Sequence, residues 1–421
     1  MNFVTALQTS VAGGTTRRHF LKGAALAVGG TGLFAKSAPK MTKTANSATW
    51  AYVGTSRAPQ DLERGKANGR GILLYEMNPG TGALTRRDFF PHDWSPGWLA
   101  IPRGGAFLYT ANGADNFQGR RTGSVSAFAI DRASGRLTRL NDVSSEGTGP
   151  AHLSIHPSGK YIFAANYGDG TFAVLPLLPD GKLSAATDSQ RGQGKVGPDR
   201  ATSAPPGSFA ISGHESPHGH MIQADTSGRY VLGAELALDQ ILVWKFDLEK
   251  GKLIPNDPPS VALPPGDGPR HFAFHPNGRW LYSIQEEGST IVLFDYDAER
   301  GRLTSRQTVS SMPPGFAGSN YTSEIAVSSD GKFVYGANRL HDSISYFSIG
   351  GDGKLSLVDE VWAHGDYPSN FILDPGGNFL YSCNQHADAI AAFRVNRKIG
   401  HLTFTGQYTP VRSPSHVAFS S

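Results

Sequence analysis

Apolar and polar residues alternate along this chain in short runs, and the runs recur. His271, Phe272, Ala273 and Phe274 alternate, meet a turn at Pro276-Asn277-Gly278, and give way to a second run at Trp280-Leu281-Tyr282. Period-2 alternation closed by Pro, Asn and Gly predicts two antiparallel strands joined by a tight turn. The pattern returns around Gly159, Gly228, Gly331 and Gly377, and more weakly around Gly105. A second pattern follows, as in Ile241–Asp247 before Gly251, Ile291–Asp297 before Gly301 and Ile344–Ile349 before Gly353. It adds a third strand, a glycine turn and a fourth strand. Four short strands per unit, repeating about every 45–55 residues, predict a β-propeller.

The two ends of the chain each hold part of a unit. Trp50–Thr55 lacks the strand that should precede it, and Ser413–Phe419 is a first strand with nothing after it. Joined, they complete a blade. The expected fold is therefore all-β: a seven-bladed β-propeller with four antiparallel strands per blade, closed by the N- and C-terminal strands in one blade. Such closure leaves no free sheet edge. The long interval between Gly159 and Gly228 predicts a surface loop over 190–213, rich in Gly, Ser and Pro, and 58–70 a second insertion.

Aligning the units on the turn glycine exposes two polar sets. Seven residues before it stand Trp98, His152, Met221, His271, Glu324 and Asn370, with His416 equivalent in the composite blade. The next residue is apolar in each: Leu99, Leu153, Ile222, Phe272, Ile325, Phe371 and Val417. Alternation sends the first set to the central channel and the second into the core between blades. Seven or eight residues after the glycine come Asn112, Asn166-Tyr167, Glu235, Gln285-Glu286, Asn338-Arg339 and Asn384-Gln385. Antiparallel pairing brings both sets to one mouth of the channel, with the Pro/Gly turns at the other. Polar groups converging on a concavity suit a binding site, and equally a channel of satisfied polar groups.

Composition and charge change the picture only at the amino terminus. Thr16-Arg17-Arg18-His19-Phe20-Leu21-Lys22 precedes an apolar run from Gly23 to Ala35, the pattern of a twin-arginine export signal. That run is too short for an ordinary membrane span. Residues 1–37 are read as the signal and 38–421 as the propeller domain, exported by the Tat machinery to the periplasm or beyond as a monomer. The signal holds four basic residues and no acid, so its removal takes the net charge from +4 to 0. The basic balance thus belongs to the signal and argues neither for nucleic acid nor for stable membrane insertion. The single cysteine, Cys383, allows no internal disulfide, so stability must come from core burial.

Gly268-Pro-Arg-His-Phe-x-Phe-His-Pro-Asn-Gly278, Gln285-Glu286, Ser323-Glu324 and Asn338-Arg339-x-His341-Asp342-Ser343 resemble the lactonase family of seven-bladed propellers. That family takes in 6-phosphogluconolactonases and muconate lactonizing enzymes. The resemblance implies lactone hydrolysis without a metal or cofactor, and a small-molecule lactone as partner. It points to His218 or His220, Arg270, Glu286 and Arg339 as catalytic residues. His152, His271, Glu324, Asn338, Asn370, Gln385 and His416 are the candidates for substrate binding. Gln285 and Glu287 depart from the family pattern, which has Asn and Leu at those positions. Arginine forks suit an oxyanion or carboxylate, and Glu286 or a histidine could take a proton from water. A lactone-forming cycloisomerase, or a non-catalytic propeller that binds a carbohydrate or protein, are the alternatives. There is no Gly-x-Ser-x-Gly nucleophile elbow. His218-x-His220 and His152-x-x-x-His156 lack a third metal ligand at a recognisable spacing.

Overall fold

The computed structural model describes residues 49–56, 69–114, 116–209 and 213–420. The expected export signal at 1–37, the expected start of the mature domain and most of the 58–70 insertion lie outside these residues. Seven four-stranded antiparallel sheets make up the described chain. Six are consecutive and form blades 1 to 6, opening at Ser95, Pro150, Gly219, Pro269, Thr322 and Pro368. The seventh runs Pro414–Ser420, Thr49–Thr55, Gly71–Met77, Leu84–Pro91, with Val53 opposite Val417. The ring therefore closes as the two ends of the sequence required. Arg191 ends the outer strand of blade 2 and Gly219 opens blade 3, so the long glycine interval is indeed a connection.

The core lies between the blades. Seven apolar clusters each span two neighbouring sheets. Phe163 and Phe172 of blade 2 meet Ile222, Val231 and Trp244 of blade 3. Burying one such side chain contributes about 1.5–3 kcal/mol, and repetition makes a large fold from small cores. Cys383 sits in one of these clusters, fully buried, and burial raises its thiol pKa.

A ring of tyrosine hydrogen bonds ties each blade to the next. Tyr52 donates to Gly135 O, Tyr109 to Gly181 O, Tyr161 to Leu248 O and Tyr230 to Glu299 O. Tyr282 to Gly353 O, Tyr335 to Gly400 O and Tyr381 to Gly82 O complete the circuit. His156 and His275 do the same on the inner turns, with Nε2 2.9 Å from Gly228 O and Gly331 O. The His-Pro turns are thus structural. Tyr381→Phe leaves the buried Gly82 carbonyl without its partner at the closing blade. It is expected to cost about 1 kcal/mol in denaturant unfolding. An unchanged midpoint would show that the tether contributes nothing net.

Candidate active site

Each innermost strand is irregular where it meets the second strand's far end. In blade 4 the register shifts between Pro269 and His271, so Arg270 is an extra, unpaired residue. Blade 3 shifts at the same place, between Gly219 and Met221, which makes His220 the equivalent of Arg270. Bulges of this kind commonly re-aim side chains beside functional sites. The residues that follow the second strands are fixed by one repeated backbone bond: Tyr167 N to Gly149 O, Glu286 N to Gly268 O, Arg339 N to Tyr321 O and Gln385 N to Tyr367 O. These two positions, repeated around the ring, build the mouth.

Glu286 is the centre of it. Its Oε1 lies 2.6 Å from Arg339 Nη2 and its Oε2 3.0 Å from Arg270 Nε. The second contact is close but not aligned as a hydrogen bond. Arg270 Nη1 donates to Ser323 O, and Arg339 Nη2 to Thr322 O at 3.0 Å. The Arg339 guanidinium lies between the Tyr321 and Tyr367 rings, 5.4 and 5.3 Å from their centroids, and donates to Tyr367 Oη at 3.3 Å. Tyr367 has φ +62°, and Asp342 Oδ1 holds its N–H at 2.8 Å. Asp342, in the Asn-Arg-x-His-Asp-Ser motif, thus fixes the ring that flanks Arg339. Burial lowers the Arg270 pKa, as does the neighbouring Arg339, while Glu286 opposes both. For Arg339 burial is the largest single effect and lowers the pKa, but Glu286, Tyr367 and Glu287 together outweigh it, and the pKa rises.

The two candidate histidines separate. His218 is stacked on Tyr167 at 4.1 Å, with Nδ1 on Tyr167 O and Nε2 3.1 Å from Glu215. His220 packs edge-on against Tyr167 at 5.6 Å and His271 at 4.9 Å, and its Nδ1 has no hydrogen-bond partner. Burial, then the Arg270 charge, push its pKa well below the ordinary imidazole value. His220 is therefore a neutral imidazole with a lone pair available. His218 has both nitrogens engaged.

The ring residues do not line an open channel. Trp98 packs 4.4 Å from His152, 4.1 Å from His416 and 5.3 Å from His271 across the axis. Glu324 Oε2 lies 3.1 Å from His271 Nδ1 and accepts from Asn370 Nδ2. Met221 holds the same register in blade 3, and its Sδ meets Phe272 N at 3.1 Å. His152, His271, Asn370 and His416 are all buried. They form a plug under the Arg–Glu layer, below the position expected for substrate-binding groups. Asn338 is fully buried, with Nδ2 on Ser311 O and Ser345 Oγ and Oδ1 accepting from Ser311 and Asn320. Its side chain is committed to the scaffold because it ends a second strand rather than following one. Gln385 is half-buried, one residue beyond.

Tyr321 and Tyr367 were missed in the sequence. Their signal is a shared offset: each stands three residues before a ring position, Glu324 and Asn370. Glu287 is also accounted for. It is buried beside His214, whose Nδ1 is 4.0 Å from its Oε1 and whose Nε2 is 3.3 Å from Asp239 Oδ1. Asp239 in turn accepts from Gly266 N at 2.7 Å and Gly268 N at 2.9 Å, fixing the loop that delivers Arg270. Among the described residues no group of His, Cys, Asp or Glu is arranged to hold a metal ion. His152 and His156 go different ways: His152 packs on Trp98 at the axis, and His156 bonds the inner turn of the next blade at Gly228.

Residues 51–419 match the model of a family described as lactonase, 7-bladed β-propeller. The chain is 31% identical to a 6-phosphogluconolactonase of Bacillus subtilis over 75% of its own length and 82% of that protein's. Among solved structures, it is similar to a putative 6-phosphogluconolactonase of Bacteroides fragilis, with a TM-score of 0.78 at 28% identity. That match covers 90% of this chain and 100% of the other. A periplasmic gluconolactonase of Pseudomonas aeruginosa gives a TM-score of 0.77 at 27% identity, covering 89% and 99%.

Proposed function

The chain belongs to the seven-bladed β-propeller lactonase family, and on that premise we propose that it hydrolyses a sugar lactone at the Arg270–Glu286–Arg339 mouth. The observation that carries this reading is the buried carboxylate of Glu286 held between two guanidiniums, beside a neutral imidazole. Lactone opening needs a base for water and fixed positive charge where the carbonyl oxygen becomes an oxyanion. Glu286, clamped by two cations, is the poorer base; its work is to hold the guanidiniums in place. His220 takes the proton. Arg270 and Arg339 face the oxyanion, and then the carboxylate of the product. Tyr167, Tyr321 and Tyr367, all half-buried, supply flat surface for the sugar ring.

The three charged groups leave one net positive charge. That suits a neutral lactone that becomes a monoanion better than a substrate already carrying a phosphate dianion. Export points the same way, because a phosphorylated intermediate is not an obvious substrate outside the inner membrane. The twin-arginine pattern supports the reading of 1–37 as a Tat signal and a periplasmic site of action, as does the similarity to a periplasmic gluconolactonase. No helix among the described residues is long and apolar enough to cross a membrane. The test is turnover of glucono-δ-lactone and its 6-phosphate by residues 38–421, with and without EDTA. We expect chelator-resistant hydrolysis that favours the unphosphorylated lactone. Folded protein that opens neither lactone would overturn the proposal, and activity abolished by EDTA would overturn its metal-free chemistry.

A further inference from the structure

We propose that Glu324 and His271 form a proton relay beneath the site, taking up through His220 the proton that the attacking water gives away. The inference rests on the lactone-hydrolase reading and adds to it a pair of positioning residues that no substrate needs to touch.

Two buried imidazole nitrogens carry it. His271 Nδ1 lies 3.1 Å from Glu324 Oε2, which leaves Nε2 as the free nitrogen of that ring, and Nε2 has no hydrogen-bond partner. His220 Nδ1 has none either. The two rings stand 4.9 Å apart between centroids, at 73°. His271 is 1% and His220 7% exposed. Buried polar nitrogens are nearly always paired, so two orphans on adjacent rings mark a place where a proton, or a water carrying one, belongs. Glu324 is itself fixed, accepting from Asn370 Nδ2 and from Ile325 N at 3.0 Å on its other oxygen.

The surroundings favour transfer over storage on a ring. Arg270 and Arg339 lie above the histidines, countered by Glu286, while His152 packs beside His271 and His416 completes the plug. A resident imidazolium there would face two guanidiniums. Passing the proton on to Glu324 removes a buried carboxylate charge instead, and burial raises that carboxyl's pKa to about 7. The step balances. The water O–H bond breaks as its oxygen bonds to the lactone carbonyl carbon, and the proton goes to His220 Nε2. The Nδ1 proton of His220 passes to a water between the two unpartnered nitrogens, which gives one of its own protons to His271 Nε2, and the Nδ1 proton of His271 moves to Glu324. When the ring C–O bond breaks, the relay runs backwards and protonates the leaving oxygen, giving the hydroxy acid.

Glu324→Gln tests it. We expect kcat to fall about 10- to 100-fold with KM nearly unchanged, and the acid limb of the kcat–pH profile near pH 7 to vanish. A proton inventory in mixed H2O/D2O should change from curved to linear. If the variant does not fold, Glu324→Asp keeps the carboxylate but retracts it, and should keep the limb with reduced kcat. A folded Glu324→Gln with the wild-type limb and inventory overturns the relay and leaves the lactonase reading standing. Wild-type protein that is folded yet opens no lactone overturns that reading, and the relay with it. The resting state is checked independently by 15N NMR: His271 should be the Nδ1–H tautomer at pH 8 in wild type and lose that preference in Glu324→Gln.

Discussion

Arg270→Ala will lower kcat for lactone hydrolysis by about 10²- to 10³-fold, the loss typical of removing one preorganised donor from an oxyanion site. Arg270 reaches the mouth only because the blade 4 strand is irregular at that residue, and the Asp239-held glycine loop fixes its approach. The substitution also strips Glu286 of one of its two cations. Two controls separate the effects. Glu286→Gln keeps the shape while releasing both guanidiniums from the carboxylate, and should raise KM more than it lowers kcat. Arg270→Lys keeps the charge but not the fork, and should recover only part of the lost rate. Steady-state kinetics on variants with wild-type thermal transitions decide the matter. An Arg270→Ala enzyme with wild-type kcat would remove Arg270 from the chemistry.

Acid will unfold the propeller more readily than its neutral-pH stability suggests. Burial pushes His416 and His92 down to about 4, and His152, His220 and His271 well below the ordinary value. A depressed imidazole contributes stability above its unfolded pKa of about 6.5, and loses it as pH falls through the folded value. For His416 the full loss is on the order of 3 kcal/mol. Burial acts oppositely on the acids, raising Glu235 and Glu324 to about 7 and Asp267 to about 6. Those groups favour folding at low pH and lose that contribution as pH rises toward their folded values. Between pH 6.5 and 4.5 the two trends oppose, and the five imidazoles outnumber the three carboxyls. Below about 4.5 the gain from Glu235 and Glu324 is complete, while the histidines still titrate and carboxylates held low by hydrogen bonds, such as Asp131 and Asp297, begin to lose their contribution, so the fall steepens. Urea unfolding at pH 7.5, 6, 5 and 4.5 should show midpoints dropping throughout. A midpoint that stays level to pH 4.5 would mean the plug admits protons without cost.

Much of the site could be read from spacing. Glu286 and Arg339 occupy equivalent places after the turn glycine in successive repeats, whereas Arg270 came from the family resemblance, and the structure brings all three together. The histidine pair could not be resolved that way, because His218 and His220 alternate onto one face of an ideal strand. Only the register shift between Gly219 and Met221 tells them apart. Asn338 looked like its neighbour Arg339, yet a single residue of difference moves it from the mouth into the scaffold. Tyr321 and Tyr367 lie just outside or before the strands that carried the pattern, so alternation did not reach them.

By itself the sequence determined the number of blades, the order of their strands and the closure of the ring. Those follow from turn glycines and two-residue alternation, which act over a few residues and repeat. Tertiary structure alone decided that the ring of Trp98, His152, His271, Glu324 and His416 packs shut across the axis. It also decided that His271 Nε2, and Nδ1 of the neighbouring His220, find no partner. The physical reason is that side chains from different blades meet there at separations of a few ångströms. Blade tilt and one-residue bulges set those distances, and no local pattern of polar and apolar residues encodes either.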